Sequence, residues 1–151
     1  MHKDDEPAKP GWRGWTTDNR AMFRLTGEHI TWICGCGKPI SSGTGYITTD
    51  DHIADRYAHE SEEFWRRREQ AESGNGIALT RASDIPFHAP VPWRAWHQKC
   101  DPNPEDDAYW FDVHRADTLR KLMHWAGHLM GKTWVTFTDL PDLLMRMGQD
   151  A

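Results

Sequence analysis

The stretch Trp32-Ile-Cys-Gly-Cys-Gly-Lys-Pro-Ile40 decides the fold of this chain, together with Trp96-His-Gln-Lys-Cys100. All three cysteines of the sequence lie in these two segments, and His97 lies in the second. Two thiolates on a tight turn, closed by an imidazole and a third thiolate, make a complete tetrahedral ligand set for zinc. The sequence therefore predicts a structural zinc site formed by Cys34, Cys36, His97 and Cys100. The alternative is three unrelated cysteines in a reduced core.

The same residues carry a resemblance to a known family. Cys-Gly-Lys-Pro-Ile (36–40) followed by Trp-His-x-x-Cys (96–100) resembles the first zinc module of LIM domains, and more broadly a treble-clef finger. This resemblance implies a knuckle, a hairpin and a helix start that supply the ligands, in a finger that binds partner proteins and does no chemistry. The chain departs from the pattern in its Cys-x-Cys pair, in its long spacer before His97, and in having no cysteine after Cys100.

The chain as a whole is similar to small zinc-binding proteins of actinobacteria and their phages, a likeness that includes His-Leu-Met-x-Lys-x-Trp (128–134). That similarity implies an actinobacterial or phage source for the chain, but it implies no biochemical activity. For a phage or mobile-element gene, it makes a host protein the expected partner.

Composition narrows the class of protein. At 151 residues the chain is long enough for one domain with a substantial core, which we place at 21–151 after a flexible tail at 1–20. The net charge of −5 disfavours nucleic acid as a partner. The sequence has no apolar run of membrane-spanning length, and its N-terminus does not read as a signal peptide. An odd number of cysteines, clustered as metal ligands, predicts a reducing, cytoplasmic location.

The pattern of elements predicts an α+β fold. We expect a zinc-knuckle β-hairpin of treble-clef type, a long inserted helix and a C-terminal helical pair. The expected strands are 28–33, 46–49 behind a turn at 41–45, 77–80 and 109–113, with a short extended piece at 134–137. The expected helices are 53–72, 118–130 with Asp117 as its cap, and one that ends near Met147.

Helical spacing separates apolar from polar faces near the C-terminus. In the 118–130 helix it predicts a buried stripe of Leu119, Leu122, Met123, Ala126, Leu129 and Met130. His124 and His128 fall on the other face, and the glutamate of a zinc-peptidase helix is absent between them.

The last helix has an apolar face of its own. Its four large side chains either pack the core or bind a partner, which would be another protein or a second copy of the chain. These residues are Leu140, Leu143, Leu144 and Met147.

Three functions are consistent with these features. The first is a non-enzymatic protein-interaction module stabilised by zinc. The second is a nucleic-acid-binding regulator that uses Lys121 and the arginines at 66–68, although the acids around those arginines favour a self-neutralised helix face. The third follows from Asp51-His52-Ile53, which looks like the start of HNH endonucleases, where a strand-borne histidine is the base. The resemblance implies that role for His52, with Asn75 and His88 completing a catalytic metal site. The alternative for His52 is a helix-start residue hydrogen-bonded to the hairpin. His88 or His52 also stands in reserve as a ligand of the structural zinc.

Overall fold

The computed structural model describes residues 20–75, 84–104 and 108–150. Over these residues the chain is α+β, as predicted, with two small antiparallel sheets and three α-helices. The strands are β1 (Met22–Thr26), β2 (His29–Ile33), β3 (Gly45–Thr49), β4 (Trp93–His97) and β5 (Tyr109–Asp112). The helices are α1 (Asp51–Asn75), α2 (Leu119–Leu129) and α3 (Leu140–Asp150), with short 3-10 helices at Gln98–Cys100, Val113–Ala116 and Val135–Phe137.

The first sheet is a hairpin of β1 and β2, in which β1 is a strand that the sequence pattern did not predict. A two-residue turn joins the strands, and Gly27 takes the positive φ of 62° that glycine adopts without a steric penalty. β2 carries the buried Ile30 and Trp32, and the Trp32 indole donates a hydrogen bond of 2.8 Å to the carbonyl of Ala116. This hairpin therefore anchors the knuckle segment to the start of the C-terminal region.

The second sheet has the order β4-β3-β5. The segment 45–49 is a strand, as predicted, but it pairs with β4 and β5 and not with the strand that precedes the knuckle. One face of the sheet packs the core through Ile47, Trp93, Ala95 and Phe111. The register places Gly45 opposite His97, so this pairing carries the second ligand segment back to the first.

Helix α1 is the insertion between the two ligand segments. It starts two residues earlier than predicted, with Asp50 accepting a hydrogen bond of 3.1 Å from the Ile53 amide, and it runs to Asn75. Ala54 is its one residue in the buried class among those described. The predicted strand at 77–80 lies outside the described residues, as does the predicted tail up to residue 19.

The C-terminal helical pair is present, with three local differences from the prediction. Thr118, not Asp117, caps α2 and accepts from the Lys121 amide. Residues 135–137 form a 3-10 helix and not an extended piece. Met123 and Met130 are exposed, at 73% and 53%, because the core contacts of α2 stop at Leu122, Ala126 and Leu129. No helix of the described residues is both long and apolar enough to cross a membrane.

Candidate metal centre

The first two candidate ligands lie on a closed turn that follows β2. The Gly37 amide donates to the Cys34 carbonyl at 2.8 Å, and the Cys34 amide donates to the Lys38 carbonyl at 2.9 Å. Gly37 has a φ of 87°, a conformation that a side chain would strain. The Cys36 amide also points at the Cys34 sulfur, 3.4 Å away. The turn therefore places both sulfurs on one side, although only one residue separates the two cysteines.

The other two candidate ligands come from the far end of β4. His97 is its last residue, and Cys100 ends the 3-10 helix that follows. The His97 amide donates to the Cys34 sulfur at 3.3 Å, which ties the end of the strand directly to the knuckle. In the treble-clef pattern an α-helix start supplies the last ligands, whereas here a strand end and a single 3-10 turn do so.

Two glycines let these segments approach each other. A Cβ added at Gly45 would lie 2.3 Å from the Trp96 carbonyl oxygen and 2.6 Å from Ile40 Cγ2. A Cβ added at Gly35 would lie 2.3 Å from the Trp96 ring. Real Cβ atoms do not make contacts this short, so the closeness of the knuckle, β3 and β4 depends on both glycines.

The four predicted ligands meet at one point. The Cys34, Cys36 and Cys100 sulfurs and a His97 ring nitrogen all lie within 4.8 Å of one another. His97 Nδ1 lies 3.4 Å from the Cys36 sulfur and 3.8 Å from the Cys100 sulfur. A tetrahedral zinc with its usual bond lengths would separate such donors by about 3.5 to 3.8 Å. The cluster therefore has the donor types and the spacing to hold a metal ion, and zinc is the ion that fits this set best.

The His97 ring is already oriented for ligation. Its Nε2 lies 3.0 Å from the Pro39 carbonyl oxygen. A carbonyl can only accept, so Nε2 carries the proton and Nδ1 is left with its lone pair facing the sulfurs. This is the outer hydrogen bond that metal-binding histidines generally make.

The pKa values of the cysteines show how a bound cation would affect the cluster. Burial raises the pKa of Cys34, which is 2% exposed, to about 12, although the amides of Cys36 and His97 act in the opposite direction. At Cys36 burial also acts to raise the pKa, but hydrogen bonds from the Lys38 amide and the neighbouring thiols outweigh it and the net pKa is lowered. A bound cation would supply the charge that a buried thiolate at Cys34 lacks.

The reserve ligands do not take part in this cluster. His88 stacks on the Tyr57 ring at a centroid distance of 4.0 Å, and its Nε2 lies 3.2 Å from the Glu60 carboxylate. His52 is exposed in the first turn of α1. Within the described residues, the Cys3His cluster is the one group of three or more potential ligands close enough to hold a metal.

Among the described residues, His52 and His88 belong to no group of three or more potential ligands close enough to hold a catalytic metal. His52 lies in the first turn of α1, as the helix-start alternative expects, and not on a strand as in the HNH family. It lines an open cavity of about 450 Å³ beside the three-stranded sheet, with Arg94 and Asp101 among the other lining residues. The side chain of Asn75 lies outside the described part of the chain.

The predicted nucleic-acid contacts are paired within the chain. Glu63 forms ion pairs with Arg66 and Arg67, and Arg68 lies 3.0 Å from Glu72. Lys121 lies 2.9 Å from Asp117. The arginine triplet is thus the self-neutralised helix face that the charge pattern favoured.

The predicted partner-binding residues lie mostly in the core. Leu140, Leu143 and Met147 are each 2% exposed, and Leu144 is partly buried against the same cluster. A partner cannot reach the first three side chains on the folded chain. This corrects the assignment of the α3 apolar face as an interaction surface and supports the core role that was its alternative.

Sequence reasoning missed three contributors to the centre, namely Pro39, Gly45 and Trp96. Pro39 acts through its carbonyl and Trp96 through a packing contact, and neither role has a sequence signal. Gly45 had one, because a glycine at the start of a β-rich run often marks a close approach of another backbone.

Comparison with known proteins adds no relative: no protein-family model matches the chain, and neither a curated protein nor a solved structure does.

Proposed function

We propose that this chain is a non-enzymatic protein-interaction module stabilised by one structural zinc ion. The observation that carries the proposal is the convergence of Cys34, Cys36, His97 and Cys100. Four protein donors fill a tetrahedral zinc site and leave no position for water or substrate, which is the arrangement of structural and not catalytic zinc. The biological work would then fall to the protein surface.

The ion would have a clear architectural role. Cys36 and His97 are 61 residues apart in the chain, and closing a loop of that length carries an entropic cost. The intervening helix α1 contributes little buried surface among its described residues. Binding free energy at the metal would therefore act as folding free energy for the whole domain.

The proposal extends to family and setting. The knuckle supports a treble-clef-like finger, and we extend the proposal to a partner in a bacterial host cell on the sequence resemblance alone. Three thiols committed to a metal support a reducing, cytoplasmic compartment.

The competing functions have weaker support. A nucleic-acid-binding regulator would need free cations on α1, but Arg66, Arg67 and Arg68 are paired with acids. An HNH nuclease would need a histidine on a strand beside a second metal group, and His52 is on a helix.

The first test joins metal content to partner binding. Elemental analysis of the purified chain should give one zinc per molecule. The zinc-loaded chain should retain a specific protein from an actinobacterial lysate, and a Cys36→Ser variant without metal should not. If both forms retain the same proteins, or neither retains any, the interaction module is wrong.

A second test addresses the alternatives. Incubation with supercoiled plasmid and Mg²⁺ or Ni²⁺ should give no nicking above a His52→Ala control. A gel shift with duplex DNA should show no binding. Nicking that disappears in the His52→Ala variant would replace the proposal with the nuclease.

A further inference from the structure

The outward side of α2 carries apolar side chains that the core does not use. Met123 is 73% exposed and Met130, directly after the helix, is 53% exposed. They are seven residues apart, so they share one side of the helix about 10 Å apart. Gly127 lies between them, and a Cβ added there would meet no atom within 4 Å. The result is a shallow apolar surface at Gly127, with the flexible methionine side chains of Met123 and Met130 on either side.

An arginine and a histidine border this apolar surface. The helix positions 120 and 124 place Arg120 and His124 beside Gly127 on the exposed side. Neither side chain forms an ion pair with any residue that the structure describes. We call Arg120, Met123, His124, Gly127 and Met130 the α2 outer face.

The charge of this region is opposite to that of the chain. Residues 113–138 hold four arginines and lysines and one acid, Asp117, whereas the whole chain has a net charge of −5. Asp117 lies against Lys121, and no ion pair among the described residues involves Arg120. The α2 outer face therefore carries the positive charge of Arg120 beside two exposed methionines.

We infer that the α2 outer face binds an acidic amphipathic segment of a partner protein, an inference that rests on the proposed function. Apolar side chains of that segment would pack on Met123, Gly127 and Met130, and its carboxylates would lie against Arg120 and His124. Methionine surfaces adapt to helical apolar faces of this kind. Complementary charge would orient the segment and speed its encounter.

Two other occupants fit less well. A phosphate backbone would use the cations but leave the two exposed methionines without a function. A second copy of the chain would have to present acids, and α1 is its longest acidic element. Four α1 acids, Asp55, Glu60, Glu63 and Glu72, already lie against basic groups of the same chain, which leaves Glu62 and Glu69 for such a contact.

The test selects binders without assuming their sequence. A displayed library of random peptides of about 16 residues is panned on the zinc-loaded full-length chain, and selected peptides are synthesised with a fluorophore. We expect the selected sequences to be rich in Asp and Glu, with apolar residues at helical spacing. Their affinity should fall as salt rises, because exposed charges are screened.

Variants locate the binding site. Met123→Glu and Arg120→Glu should each weaken the selected peptides at least about tenfold, since each adds a charge that repels an acidic segment. The matched control is Met145→Glu on α3, where a methionine is 67% exposed outside this face, and it should leave affinity unchanged. All three positions are exposed, so zinc content and melting temperature should match the parent and confirm that each variant folds.

Each remaining outcome overturns the inference. The inference is wrong if the selected peptides are not enriched in acidic residues, or if Met123→Glu leaves their affinity unchanged. It is also wrong if the parent chain is a dimer that Met123→Glu dissociates, which would make a second copy the occupant. Binding of an oligonucleotide that Arg120→Glu abolishes would make nucleic acid the occupant. If a lysate protein or peptide binds and ignores both variants, the α2 site is wrong and the interaction module stands. If no peptide and no lysate protein binds the zinc-loaded chain, both are wrong.

Discussion

The two ends of strand β4 are held by different chemistry. At its start, the Trp93 amide donates to the Asp139 carboxylate at 2.8 Å and the Trp93 indole donates to the Thr138 hydroxyl at 3.0 Å. At its end, the His97 amide and ring face the sulfurs of Cys34, Cys36 and Cys100. The first end is completed by hydrogen bonds within the chain, whereas the second brings three thiols and one imidazole together as a ligand set for a metal ion.

The proposed zinc ion would stabilise the His97 end, whereas hydrogen bonds of the chain itself stabilise the Trp93 end. Removing the ion should release the His97 end, because thiols and an imidazole have weak attraction without it. The Trp93 end should remain closed longer, because its donors and acceptors satisfy each other. Variants at the two ends test this contrast.

Loss of a ligand at the His97 end should have the largest consequence. Cys34→Ser removes a buried thiolate ligand, and we expect the variant to lose its zinc and at least about 3 kcal/mol of stability. Elemental analysis and thermal unfolding measure both effects. A strong chelator should do the same to the parent chain, with amide exchange rising first near His97. If the metal-free chain has the same melting temperature as the parent, a metal ion does not stabilise the His97 end of β4.

Gly45→Ala should come next, because it acts on the backbone that positions His97. The new Cβ would overlap the Trp96 carbonyl and Ile40, so we expect a loss of about 2 to 3 kcal/mol together with weaker zinc binding. Chemical unfolding and zinc competition with a chelating dye measure the two effects. The control is Gly148→Ala in α3, where a Cβ meets nothing within 4 Å, and it should be neutral or stabilising by up to about 1 kcal/mol.

Thr138→Val tests the other end of the strand without touching the metal. It leaves the Trp93 indole without its acceptor in a buried site, at a cost of about 1 to 2 kcal/mol. Zinc content and zinc affinity should remain those of the parent, which chemical unfolding and dye competition can establish together. Loss of zinc in this variant would show that the two ends are coupled.

The smallest effect should appear as a dependence on pH at Asp139. Burial raises the pKa of this carboxyl from 3.8 to about 6, against the hydrogen bond from Trp93. The folded state holds the proton more tightly, so the stabilisation is present below about pH 4 and is lost as pH rises through about 6. From about pH 5 to about pH 8 the parent should lose about 1 kcal/mol relative to Asp139→Asn.

Unfolding at saturating zinc measures this difference at each pH. Both chains release metal at the same centre, so the comparison cancels that contribution. A free-energy difference that stays constant over the interval would contradict the assignment.

The sequence determined the ligand set and the class of fold. Cys34, Cys36, His97 and Cys100 were identifiable because three of the four belong to a rare residue type that lies in only two segments, and zinc selects such donors chemically. The helices α1 and α3 followed from periodicity and capping residues, which are local properties of neighbouring positions. Such properties do not depend on which distant segments of the chain pack together in the fold.

The tertiary structure alone decided which surfaces are free. Strand β3 pairs with β4 and β5 across more than 40 residues, and no local pattern specifies partners at that distance. The same packing buries Leu140 and Leu143 and leaves Met123 and Met130 in solvent, although all four fit an apolar helical stripe. Periodicity shows which side chains share a face, but the extent of the neighbouring core decides how much of that face is covered.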